Sequence, residues 1–125
     1  MIRYITLCLL AFIGCTANAH QFLPTYPKFE QSFIDGVSSV KMELFNKRPE
    51  IEYYEVQVFD KDWNKISFAS EAKLINIKHL ETKKINVYVR NEDVLKLGYV
   101  CTESKSKKED SKYTIVSSRI CSKIK

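Results

Sequence analysis

Glycine, proline, arginine and histidine are all scarce in this chain, at 3, 3, 4 and 2 of 125 residues. So few glycines and prolines exclude collagen-like repeats and low-complexity coil, and a hydrophobic content of 45% excludes a disordered tail. Histidine scarcity argues against nucleophilic catalysis, because a nucleophile needs a paired base and His79 is the only histidine away from a terminus that processing would expose. The carboxylates are scattered, and no spacing makes two of them an acid/base pair. The sequence pI is about 9.0, but 16 of the 20 basic residues are Lys, which leaves few candidates for bidentate reading of bases or phosphates. Lys105-Ser106-Lys107-Lys108 is followed at once by Glu109-Asp110 and reads as a solvated loop. No apolar run reaches the roughly 20 residues of a membrane-spanning helix. A length of 125 residues suits one compact domain with little room for a large substrate cleft.

What is present begins with an export pattern. Arg3 is followed by the apolar run Ile5 to Ile13 and by the small-x-small site Ala17-Asn18-Ala19. Residues 1–19 therefore read as a secretory signal peptide, with cleavage before His20. The mature chain, residues 20–125, would hold 106 residues and, without Arg3, a net charge of +4 instead of +5. A competing reading takes Phe12-Ile13-Gly14-Cys15 as a lipobox with Cys15 lipidated, although Phe12 stands where leucine is usual. Either way the expected location is the periplasm or beyond. For a chain of this modest positive charge, the expected partners are another protein of the cell envelope and an anionic envelope surface, with nucleic acid left out by export.

Two of the 4 cysteines, Cys8 and Cys15, fall in the signal, leaving Cys101 and Cys121 as a lone pair. In an oxidising compartment that pair is expected to be a disulfide; the alternative is two separately buried thiols.

Alternation of apolar and polar residues dominates the rest, and no 3.6-residue period is sustained. Val40, Met42 and Leu44 share one face of a strand; so do Tyr54, Val56 and Val58, and Ile85, Val87 and Val89. Leu74 to Ile77, Tyr99 to Cys101 and Tyr113 to Cys121 read as further strands, and a segment from Lys28 to Ile34 as the opener. Asp35-Gly36, Asn46-Lys47-Arg48-Pro49, Asp60-Lys61-Asp62 and Asn91-Glu92-Asp93 supply turns. In the last strand Tyr113, Ile115 and Cys121 share one face and Val116 and Ile120 the other, which requires a bulge at Ser117-Ser118 or an apolar strand on both sides. The expected fold is all-β, an immunoglobulin-like seven-stranded sandwich, with a small closed barrel as the alternative. Cys101 and Cys121 would then face each other across a hairpin.

The order of these features resembles the amino-terminal immunoglobulin-like domain of periplasmic pilus-assembly chaperones. The resemblance rests on Ser38 to Asn46, an alternating strand ending in Asn, then Tyr53 to Asp60, Lys84 to Val89 and Tyr99 to Thr102. It implies a non-enzymatic, chaperone-like protein-binding domain whose final strand lends alternating apolar side chains to a partner's sheet edge. Tyr113 and Ile115 stand in the matching place and are the candidate partner-binding residues. With no second domain expected, the resemblance assigns neither a carboxylate-anchoring cleft nor its basic pair.

Two metal patterns compete with this reading. Asp60, Asp62, Asn64 and Glu71 occupy positions 1, 3, 5 and 12 of a calcium loop, but Lys65 stands where the loop needs Gly. The other reading of these residues is a hairpin turn followed by a solvated connection. A terminal His20 together with His79 would supply the nitrogen ligands of a copper brace, making a copper-binding protein the alternative function.

Overall fold

The structure is a computed structural model that describes residues 20–105 and 117–125. Eight strands are formed among the described residues: β1 (Gln21–Leu23), β2 (Glu30–Gln31), β3 (Val37–Phe45), β4 (Tyr53–Asp60), β5 (Leu74–Asn76), β6 (Thr82–Arg90), β7 (Leu97–Lys105) and β8 (Arg119–Lys123). A 3-10 helix (Asn91–Lys96) links β6 to β7. In the first sheet β3 is central, with β6 along one side and β1 and β2 sharing the other; the second sheet runs β5-β4-β7-β8. All the pairings are antiparallel. The two sheets pack as a sandwich of the immunoglobulin-like kind.

The alternating positions supply the core. Met42, Leu44, Val87 and Val89 from the first sheet meet Tyr54, Val56, Val58 and Val100 from the second, all at or below 2% exposure. A fully buried side chain of this size contributes about 1.5–3 kcal/mol. Val56 pairs with Thr102 and Val58 with Val100, so the even-numbered residues of β4 and β7 point inward and the odd-numbered ones outward. Gln57 and Phe59 nevertheless are buried on the outward face. Trp63 stacks on Tyr99 at 3.9 Å between ring centres, and the Arg119 guanidinium lies 5.5 Å from the Phe59 ring. The outer face of the second sheet thus carries a small aromatic layer of its own.

The ends of the chain depart from the sequence pattern. Within the expected opening segment, Lys28 to Ile34, only Glu30–Gln31 forms a strand, β2, and an eighth strand that the sequence did not reveal, β1, precedes it, separated by Pro24 and Pro27, which cannot donate to a ladder. β1 is only 3 residues long with Phe22 alone buried, too short for alternation to reveal. For the last strand, Arg119–Lys123 is seen paired with β7, and Tyr113 to Val116 lie outside the described residues. Ile120 and Ser122 face Thr102 and Val100, while Cys121 faces outward.

A register shift occurs where Phe59 and Asp60 oppose the start of β7. There Gly98 is obligatory, since a Cβ built on it would lie 2.6 Å from the Asp60 carbonyl oxygen and 2.7 Å from its carbon. Both are backbone atoms that cannot swing away. Gly98→Ala is expected to destabilise the fold by about 2–3 kcal/mol, read from the urea midpoint. Gly36→Ala makes the comparison: its φ of +78° strains an alanine, but nothing lies within 4 Å, and about 1 kcal/mol is expected.

Candidate partner-binding edge

β8 is the terminal strand of the second sheet. The Ser104 N–H donates to the Ser118 carbonyl and the Ile124 N–H to the Gly98 carbonyl, so these even-numbered residues address β7. Lys123 is turned the other way and donates to the Thr25 carbonyl at 3.1 Å. Arg119 and Cys121 share its phase, and among the described residues no strand pairs with that side of β8. Among the described residues the main-chain groups of Arg119 and Cys121 form an open stretch of this edge, whose far end is covered by the chain after β1, where Lys123 donates to Thr25 and Lys125 to Pro27.

The edges at the opposite side of the sandwich are capped. Ala69 and Tyr88 exchange both main-chain bonds at 2.9 Å. The Glu71 carboxylate then accepts from the Asn86 N–H at 3.0 Å and from its Nδ2 at 2.6 Å, occupying the next outward donor of β6. Lys83 Nζ donates to the Asn76 carbonyl at 2.7 Å, occupying an outward acceptor of β5. Sequence reading missed the role of Glu71 and Lys83, since nothing in their spacing reveals which strand edge they reach.

The base of β8 is firmly fixed. The Ser118 N–H donates to Ser104 Oγ at 2.8 Å, and Ser117 Oγ donates to the Ser104 carbonyl. Glu103 gathers Gln57 Nε2, Arg119 Nη2, Lys105 Nζ and Ser117 Oγ. Partial burial pushes the Glu103 carboxyl up, but the hydrogen bonds from Gln57 and Arg119 and the charge of Lys105 outweigh it and hold its pKa below the ordinary value. Cys101 and Cys121 stand directly opposite each other in the β7–β8 ladder, 4.1 Å apart at Cα, and form a disulfide. The bridge lies within one sheet, across the hairpin, as the sequence led us to expect. Tyr113 and Ile115, the sequence-derived partner-binding residues, lie outside the described residues, in the segment that leads into β8.

Inside the seam, His20 is 3% exposed. Its Nε2 lies 2.8 Å from Thr102 Oγ1 and its Nδ1 3.4 Å from Ser118 Oγ, and the ring sits 4.7 Å from that of Tyr54. Both ring nitrogens are therefore engaged within the fold. His79 is exposed in a surface turn, and among the described residues no three His, Cys, Asp or Glu side chains gather as a metal-binding group. The copper reading finds no ligand set here. The calcium pattern also dissolves into local structure: Asp60 accepts from the N–H groups of Asp62 and Asn64, shaping the turn, and Glu71 caps Asn86. The Asn64 N–H, ahead of the other donors, holds the Asp60 carboxyl below its ordinary pKa. Among the described residues, no helix is long and apolar enough to cross a membrane.

At the level of sequence, no family model and no curated protein matches the chain. Solved structures do. The crystal structure of the E. coli chaperone DraB superposes with a TM-score of 0.62 at 12% identity, over 85% of this chain and 53% of that one. The structure of the Salmonella enterica SafA pilin in complex with the SafB chaperone gives a TM-score of 0.61 at 12% identity, over 89% of this chain and 55% of its counterpart. The chain spans about half the length of the chains it matches. It shares its fold with one immunoglobulin-like domain of the periplasmic pilus chaperones.

Proposed function

We propose that the chain is an exported, chaperone-like binding protein without catalytic activity, which adds the β8 edge and the segment leading into it to the sheet of a partner protein. The observation that carries this reading is the asymmetry of the edges. β5 and β6 carry caps from Lys83, Glu71 and the Ala69–Tyr88 pair, whereas among the described residues no strand pairs with the outer side of β8 at Arg119 and Cys121. Strand addition needs such an edge together with apolar side chains at alternate positions, and Tyr113 and Ile115 supply the second requirement. A protein partner is favoured over an anionic envelope surface because the three arginines among the described residues, the cations suited to bidentate phosphate contacts, are already paired within the fold. Arg48, Arg90, Lys105 and Arg119 all pair with carboxylates of the fold, and Lys83 is drawn onto Asn76. Residues 1–19 act as the export signal in this reading, and the Cys101–Cys121 disulfide fits an oxidising periplasmic or extracellular location.

The test is affinity capture from periplasmic extract with the wild type and with Ile115→Asp, after circular dichroism has established that both fold alike. A charge at an alternate apolar position is expected to lower recovery of a specific partner at least tenfold, the equivalent of about 1.4 kcal/mol. An unchanged set of captured proteins would refute the assignment of Ile115 to the interface.

A further inference from the structure

We infer that His20 is an acid-operated latch: its neutral ring fastens the start of β1 inside the seam between the sheets, and protonation releases β1 while the two sheets, β8 included, remain folded. The geometry is that of a fastening. The residue belongs to the chain entering β1, which pairs with β3 of the first sheet, yet its ring contacts only the second sheet's side: Thr102 of β7, Ser118 ahead of β8, and Tyr54 of β4. Of the groups facing it only the Thr102 main chain favours a positive charge, and burial outweighs it. From the loop after β3 comes the Arg48 cation, whose own carboxylate partner, Glu50, is turned toward solvent. From β4 comes the Tyr54 phenol, donating to Asn46 and kept neutral by burial, with a pKa raised to about 12. β7 and the approach to β8 present the hydroxyls of Thr102 and Ser118 and the Thr102 main chain, and no carboxylate is among the hydrogen-bond partners of the ring.

Burial lowers the His20 pKa from 6.5 to about 4; the Thr102 hydrogen bond opposes this and the Arg48 charge adds to it. The sign follows from linkage. A released ring binds a proton near 6.5 and a fastened one only near 4, so the fastened state is fully favoured above pH 6.5 and loses that advantage as pH falls toward 4. Between pH 7.5 and 5 the released fraction should rise about 25-fold.

Amide hydrogen exchange followed by NMR tests this, with rates corrected for the intrinsic pH dependence. In the wild type, opening at β1 is expected to increase about 25-fold from pH 7.5 to 5, while the Ser118 amide, held by Ser104 Oγ, should stay protected. Amides in the centre of β6 should stay protected. His20→Gln, which cannot be protonated, should abolish the pH dependence at β1. The wild-type His20 ring resonance gives a second reading that needs no variant: it should show no protonation step near pH 6.5 in the closed protein. Equal pH dependence in wild type and His20→Gln, a parallel rise in β6, or protonation of the ring near 6.5 with β1 still protected would each overturn the latch.

Discussion

Asn46→Ala is expected to destabilise the protein by about 3–4 kcal/mol, more than any single truncation of an exposed residue. Asn46 is fully buried at the end of β3. Its Nδ2 donates to the Ile51 carbonyl at 2.6 Å and to the Ile77 carbonyl at 2.9 Å, while its Oδ1 accepts from the Arg48 N–H and the Tyr54 hydroxyl. One side chain therefore joins the loop after β3, the strand β4 and the chain leaving β5. Alanine would strip a partner from two buried carbonyls, an N–H and a phenol at once. Each buried polar group left unsatisfied costs roughly 1–3 kcal/mol, and partial relaxation keeps the total below the simple sum. For a domain of this size, the melting temperature should fall by some 12–25 °C. Tyr54→Phe calibrates the effect, since it removes one of these bonds and should cost about 1 kcal/mol. A loss below 1 kcal/mol for Asn46→Ala, measured by urea unfolding, would show that water replaces the amide and that the cluster is not what ties these loops.

Opening the disulfide is the second large perturbation. The Cys101–Cys121 bridge closes a separation of 20 residues, and in the chain-entropy model its loss stabilises the unfolded ensemble by about 3 kcal/mol. The double variant Cys101→Ala/Cys121→Ala should show this as a lower urea midpoint with little change at pH 7 in the circular dichroism of the folded state. Reductant alone should reproduce the shift in the wild type. The bridge ties the open-edged β8 to β7 next to the Glu103 network, so its removal should also raise amide exchange at the start of β8 more than in β6. Equal stability of oxidised and reduced protein would mean that the bridge does not constrain the unfolded chain as supposed.

Much of the architecture was legible because period-2 alternation is a local signal. Val40, Met42 and Leu44 declare a buried face whatever lies opposite, and the same holds for Tyr54 to Val58 and Ile85 to Val89. The pairing of Cys101 with Cys121 was legible because only two cysteines remain once residues 1–19 are read as an export signal. The strand β1 was not, since a strand of 3 residues with one buried side chain has no period. Sequence also presented Asp60, Asn64 and Glu71 as a possible ligand set, although their partners turn out to be main-chain and amide N–H groups of the fold itself.

By itself, the order of residues determined that this chain forms an all-β domain with one internal cross-link. It also selected which side chains face inward, because in a strand that choice depends only on parity along the chain. The tertiary structure decided everything that depends on which edge meets which. It set Glu71 against Asn86 and Lys83 against Asn76, left Arg119 and Cys121 on the outer side of β8 without a strand partner among the described residues, and buried His20 between Thr102, Ser118 and Tyr54, from which it is separated by tens of residues in sequence. Edges and seams are made by contacts between distant segments, so no local pattern can encode them.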